Sequence, residues 1–269
     1  MGVSTMSDYE RNIATSPFGQ TLGRAGTVAV DEGLRAYMLR IYNFMILGLA
    51  ITGLAALGTY MLSVTTDPSL AALKMRDGLM LTAFGKALFV SPLKWVVIFA
   101  PLGLVFLLSF GIERMRPAMA QIVFWIYAAL VGISLGSIFM VFTHTSIVRV
   151  FFITAASFGA LSLYGYTTRR DLSGMGSFLM MGLFGVIIAS LVNLWLGSSM
   201  LQFIVSVVGV LVFAGLTAYD TQRLKADYID SSLDGESSER SAIMGALSLY
   251  LNFINLFTLL MQLLGTREE

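Results

Sequence analysis

Residues 172–219 read LSGMGSFLMMGLFGVIIASLVNLWLGSSMLQFIVSVVGVLVFAGLTAY, forty-eight consecutive residues without Asp, Glu, Lys or Arg, and the run closes on Asp220. A helix needs about 20 apolar residues to cross the hydrocarbon core of a bilayer. Forty-eight is too many for one crossing and enough for two. Gly197-Ser198-Ser199 supplies turn chemistry near the middle. The stretch therefore predicts a helical hairpin over about 174–196 and 201–224. Its apolar character is continuous rather than alternating, which excludes a transmembrane β-barrel.

Five more charge-free runs lie outside it, at 41–66, 95–112, 117–148, 150–168 and 241–266. The six runs together take up 169 of the 269 residues. Only 12% of the chain is charged, about half the usual share for a soluble domain, roughly 25%. So little charge cannot cover a globular surface facing water. A soluble enzyme, a disordered chain and a nucleic-acid binder are excluded, and no nucleic-acid partner is expected. The fold class is all-α integral membrane, a seven-transmembrane-helix bundle. Its helices are expected at about 38–62, 95–112, 118–142, 150–168, 174–196, 201–224 and 241–265.

A polar, flexible tail is expected over 1–36, a transmembrane domain over 37–266 and a short C-terminal tail over 267–269. The tail is too polar to be a secretory signal. Residues 63–94 hold four basic residues and two prolines and are expected to form a partly helical loop. With 0 cysteines, disulfides and thiolate metal sites are excluded. The net charge of +1 implies no bulk electrostatic attraction to a partner.

Lys and Arg counts set the expected orientation. The N-terminal tail and the even-numbered turns carry 11, including Arg114, Arg116, Arg169, Arg170, Arg223, Lys225 and Arg240, and the opposite side carries 6. The positive-inside rule places the N-terminus in the cytoplasm.

Polar residues inside a membrane are costly, so they face the bundle interior or a watery cavity and mark functional positions. Asp220 is the first such residue. It has two readings: an acid at the end of the sixth helix paired with Arg223 one turn on, or a carboxylate facing a cavity and titrating there. The second feature is a stripe on the seventh helix, Ser248, Asn252, Asn255 and Gln262. At 100° per residue these fall within an arc of about 80°. The stripe reads either as interhelical hydrogen-bond glue or as the lining of a polar path. The third is glycine spacing. Gly132 and Gly136, Gly182 and Gly185, and Gly209 and Gly215 are expected to permit close helix packing.

Other motifs carry less. Gly132-Ile133-Ser134-Leu135-Gly136 matches a nucleophile elbow but sits in an apolar helix rather than a strand-turn-helix. His144, the only histidine, lies ten residues away and is expected in a loop. A membrane aspartyl protease needs two acids sharing a proton, and Asp220 has no second acid at its depth. No enzyme activity and no cofactor or resident metal is expected. The 16 methionines read as packing filler.

GLTAYDTQ at 215–222 followed by GALSLYLNFINLF at 245–257 resembles the transmembrane Bax-inhibitor-motif, or Bax inhibitor-1, family. SLYGYTTRRDLSG at 162–174 looks like its bacterial branch, and the likeness extends over about 35–266. The resemblance implies a bundle with the seventh helix central and an ion-leak activity, chiefly for calcium, gated by protons. In the family a carboxylate on the sixth helix pairs with one on the seventh as a pH-sensitive latch over a pore. Carried onto this chain, the latch positions are Asp220 and Asn252, with Arg223, Ser248 and Asn255 supporting. The second carboxylate is replaced by an amide, which cannot titrate but can donate to an ionised Asp220. The expected function is a pH-modulated calcium (cation) leak channel in a bacterial inner membrane. Its partners are then the lipid bilayer and the permeant ion. The alternative is a non-conducting regulator that binds another membrane protein such as an AAA protease.

Depth arithmetic conflicts with this pairing. Asp220 falls about 28 Å along a helix starting at 201, and Asn252 about 17 Å from the same side's surface. Contact requires the sixth helix to continue past Arg223 or the membrane surface to dip.

Overall fold

Inside hydrocarbon the backbone has no water to bond to, so a crossing segment must satisfy its own N–H and C=O groups. Here the charge-free runs do so as helices. The computed structural model describes residues 17–76, 79–230 and 235–268. Among them the chain forms α1 (Pro17–Ser63), α2 (Ala83–Phe89), α3 (Leu93–Gly111), α4 (Pro117–Leu135), α5 (Ile138–Val141), α6 (His144–Thr167), α7 (Ser173–Leu196), α8 (Ser199–Asp230) and α9 (Gly235–Leu264). Seven stretches are long and apolar enough to cross a membrane: Glu32–Ser63, Leu93–Arg114, Pro117–Val141, His144–Thr167, Ser173–Leu196, Ser199–Ile229 and Gly235–Leu264. The protein is an all-α, multi-pass membrane bundle.

The last helix is at its centre. In the most apolar stretch of α9, 61% of residues are buried, against 39% for α8 and 11% for α3. It packs against α8, α1, α6 and α4. Tyr250 in α9 is fully buried, edge-on to Phe124 and Tyr127 of α4. Its hydroxyl shares a hydrogen bond of 2.6 Å with Thr52 of α1. The outward faces are apolar, with Trp195 and Phe110 more than four-fifths exposed, as lipid contact requires.

The helix ends differ from the expected ones in places. Residues 1–16 of the expected tail lie outside the described residues, and from Pro17 the chain is already helical. Leu34, Tyr37, Met38, Ile41 and Met45 recur at helical spacing and are buried, so an apolar face carries α1 inward of residue 37. The loop at 63–94 holds α2 as expected, together with an antiparallel sheet of β1 (Val64–Thr65), β2 (Leu73–Arg76) and β3 (Leu79–Leu81) in the order β1-β3-β2. Strands this short leave no readable alternation in the sequence. The third crossing breaks after Leu135. The Gly136 N–H is shared between the Gly132 and Ile133 carbonyls, at 3.0 and 3.2 Å, a tightening common at helix ends.

The turn at Gly197 is as expected. Its φ is +60°, a left-handed conformation that glycine adopts without a Cβ clash. Its N–H bonds the Asn193 carbonyl at 2.8 Å.

The C-terminal residues clip onto the break before α6. Thr143 N–H donates to the Thr266 carbonyl (3.0 Å), Glu268 N–H to the Val141 carbonyl (3.0 Å) and Thr266 N–H to Ser146 Oγ (2.9 Å). Deleting residues 266–269 removes all three. At about 1 kcal/mol each, a loss of roughly 2–3 kcal/mol is expected, visible as a lower Tm in detergent. An unchanged Tm contradicts a structural role for the clip.

Candidate functional site

α8 and α9 form an antiparallel pair whose facing surfaces are small and polar where they meet near Asp220. A Cβ on Gly245 would come within 2.8 Å of Leu224, and one on Gly209 within 2.7 Å of Leu259. These glycines let the helices approach along their length.

Asp220 points into this seam. It is only 6% exposed, and Asn252 only 4%. One carboxylate oxygen, Oδ2, accepts from Asn252 Nδ2 at 2.8 Å and from Ser248 Oγ at 2.8 Å. The other, Oδ1, faces Arg223 Nη1 at 3.8 Å. Asp220 is paired with Arg223, and it is also buried against the seventh span. It is the only charged residue among the buried polar groups described.

The depth conflict is resolved by helix length. α8 runs seven residues past Arg223 and α9 begins six residues before the expected 241. At 1.5 Å per residue that adds about 10 and 9 Å, so the hairpin closes well beyond the site and brings positions 220 and 252 level.

The stripe on α9 does not act as one unit. Ser248 and Asn252 bond Asp220. Asn255 donates back to the Leu251 carbonyl of its own helix at 2.8 Å and lines a separate cavity with Thr258 and Ser190. Gln262 accepts from Ser206 Oγ at 2.8 Å and from Gln202, which in turn accepts from Asn193 at 3.0 Å. Between the Asp220 cluster and the Gln262 cluster lie Val212, Phe213, Leu216, Leu256 and Leu259, all buried and apolar. Asn255 and Thr258 of α9 lie between the same two clusters, on the side of the cavity that Phe213 and Leu259 also line.

Sequence reasoning missed two sets of partners. On the far side of α8, Thr221 Oγ1 lies 3.0 Å from Ser162 Oγ of α6, which lies 2.6 Å from the Tyr42 hydroxyl of α1. Asn193, Gln202 and Ser206 form the second polar cluster. Single hydroxyls and amides scattered through apolar runs give no periodic signal. Thr217 and Thr221, one turn apart, were the available hint.

The glycine pairs divide. Gly132 and Gly136 pack on Thr52, Ala55 and Thr59 of α1, as the spacing implies. Gly182 meets Val212 and Gly215 meets Leu179, but Gly185 has open space where its Cβ would be. Ser134 shares its hydroxyl between the Val97 (2.6 Å) and Leu130 (3.1 Å) carbonyls. His144 is not in a loop. It is the first residue of α6, edge-on to Tyr60 and 3.9 Å from Glu268 Oε1, because Thr143 caps the helix through Ser146 N–H.

A family model described as inhibitor of apoptosis-promoting Bax1 matches residues 34–269. The chain belongs to this family. Within it, the Rickettsia prowazekii protein RP147 is 44% identical over 264 residues, 98% of this chain and all of its own length. A Caulobacter vibrioides protein is 42% identical over the same coverage. Inner membrane protein YbhL of Escherichia coli is 43% identical over 238 residues, 88% of this chain and 94% of YbhL. The Bax-inhibitor match takes in the whole of α9 and the Asp220 seam, so the site lies inside the shared family region.

Proposed function

We propose that this family member is a cation leak channel that passes calcium and is modulated by protons, seated in the bacterial inner membrane with its N-terminus in the cytoplasm. The observation that carries the reading is the bonding of Asp220. A single buried carboxylate ties α8 to α9 through Asn252 and Ser248 and faces Arg223, beside a buried apolar layer. An ionised carboxylate is a strong acceptor for such bonds. Loss of the carboxylate charge, by protonation or by Asp220→Asn, weakens the attraction of the seam for a divalent cation and so lowers the flux. The permeant ion is calcium because hard divalent cations favour carboxylate, carbonyl and amide oxygens, and those are what Asp220 and Asn252 offer. The inner-membrane placement follows the likeness to YbhL, an inner membrane protein, and the orientation follows the lysine and arginine bias.

The amide at 252 makes the proton response that of one acid. Two carboxylates in one site cannot both ionise cheaply and titrate as a coupled pair. Asn252→Asp therefore changes the pH profile of calcium flux in liposomes. The same profile for wild type and variant contradicts the proposal.

A non-conducting regulator of another membrane protein, such as an AAA protease, would also carry this apolar layer. It differs in predicting no flux from the purified chain alone.

A further inference from the structure

The end of the bundle where α6 passes into α7 carries a second polar site, a cavity of about 420 Å³ beside Asp220 but outside the seam. Its walls are built by the 168–172 connection and by the last turns of α8. Gln222 bolts them together. Its Oε1 accepts from Leu172 N–H at 2.8 Å and its Nε2 donates to the Arg170 carbonyl at 2.8 Å. Tyr219 braces the same wall, packed so tightly on Gly176 of α7 that a Cβ there would lie 2.3 Å from its ring. The cavity is thus held in shape before anything enters it.

Three arginines line it, Arg169, Arg170 and Arg223, against two acids, Asp171 and Asp227. Arg169 and Arg170 pair with no carboxylate among the described residues. Arg223 is shared, 3.8 Å from Asp220 and 4.0 Å from Asp227, with its guanidinium 6.0 Å from the Tyr219 ring. The remaining acid, Asp171, accepts the Ser173 N–H at 2.8 Å. That bonding holds its carboxyl below the usual range, so it stays ionised, with its oxygen turned to the start of α7. Leu172 at the N-cap of α7 offers no side-chain acceptor to the helix's positive end.

Guanidinium forks match phosphate oxygens two at a time, and basic pockets at the ends of membrane helices suit lipid headgroups. We propose that the Arg169–Arg170–Arg223 cavity binds a phosphate-bearing anion, either a phospholipid headgroup or free phosphate, and that this ligand competes with Asp220 for the Arg223 guanidinium. An anion seated between Arg169 and Arg223 draws the latter away from Asp220. The carboxylate then keeps only Ser248 and Asn252. The site therefore couples the chemistry at the bundle end to the bonding of the buried acid, and it does so whether or not the protein conducts.

The test is binding to the purified full chain in neutral detergent, with two probes. Phosphatidylglycerol, measured against phosphatidylcholine by native mass spectrometry, reads the lipid source. Inorganic phosphate, measured by calorimetry, reads the soluble one. Saturable one-to-one binding of either probe is expected, weakened by added salt. The Arg169→Gln/Arg170→Gln double variant should bind at least fivefold more weakly, and Arg223→Gln should weaken it too. Asp220→Asn removes the competitor and should tighten binding at least threefold. Absence of binding by both probes, or equal binding by the double variant, overturns the site. Asp220→Asn binding equal to wild type, with Arg223→Gln weakened, overturns the competition.

Discussion

Asp220→Asn is expected to lower calcium flux into liposomes at least tenfold at neutral pH. The substitution keeps the shape of the side chain, and its carbonyl still accepts from Ser248 or Asn252, so the bundle should fold. What it removes is the only charged group among the buried polar residues described. A divalent ion leaving water must replace hydration with oxygen ligands, and a neutral amide attracts it far less than a carboxylate. A tenfold loss corresponds to about 1.4 kcal/mol on the barrier, a small part of what an ionised ligand supplies in a low-dielectric site. Asp220→Glu keeps the charge one methylene further out and should retain a measurable share of the flux. Flux of Asp220→Asn within twofold of wild type contradicts the role given to the carboxylate.

The largest stability effect is expected at Gly165. A Cβ there would lie 2.2 Å from the Ala218 carbonyl oxygen and 2.9 Å from its carbon and Cα. These are backbone atoms of α8 and cannot rotate aside, so α6 must move as a body. Gly165→Ala should cost about 3 kcal/mol, at the upper end of ordinary overpacking. The same movement stretches the 3.0 Å contact between Ser162 and Thr221, three residues from Gly165 and one from Asp220. Gly159→Ala on the same helix is the control, since nothing lies within 4 Å of its Cβ, and should stay within about 0.5 kcal/mol of wild type. Thermal unfolding of both variants in one detergent measures the difference. Equal Tm values contradict the close crossing of α6 and α8.

The hairpin at 172–219 was legible because hydrocarbon imposes a single requirement, an uncharged run of fixed length, and charge is easy to see in a sequence. The same rule located all seven crossings. It misplaced the ends of the sixth and seventh, where the helices leave the membrane and polar residues such as Asp227 and Glu236 continue them. That error created the depth conflict at Asp220. The pairing with Asn252 was legible only from the family motif, since nothing in spacing says which helices face each other. The division of the α9 stripe into two clusters was not legible at all. It depends on which α8 residues stand opposite, and the apolar layer of Phe213, Leu216 and Leu259 looks like any other apolar run. Likewise, the sheet between the first two crossings is too short for its pattern to register. The arginines at 169 and 170 were read as topology markers, because a cavity is a property of three segments together.

The proposed function requires that this chain conduct alone. The most direct measurement reconstitutes the purified protein into calcium-free liposomes containing a calcium dye, adds calcium outside, and follows uptake with and without a pH step. Uptake above that of protein-free liposomes is expected, changed by the pH step and reduced at least tenfold by Asp220→Asn. Uptake equal to that of protein-free liposomes at every pH would contradict it and leave the Asp220 seam as part of a regulator that moves no ions.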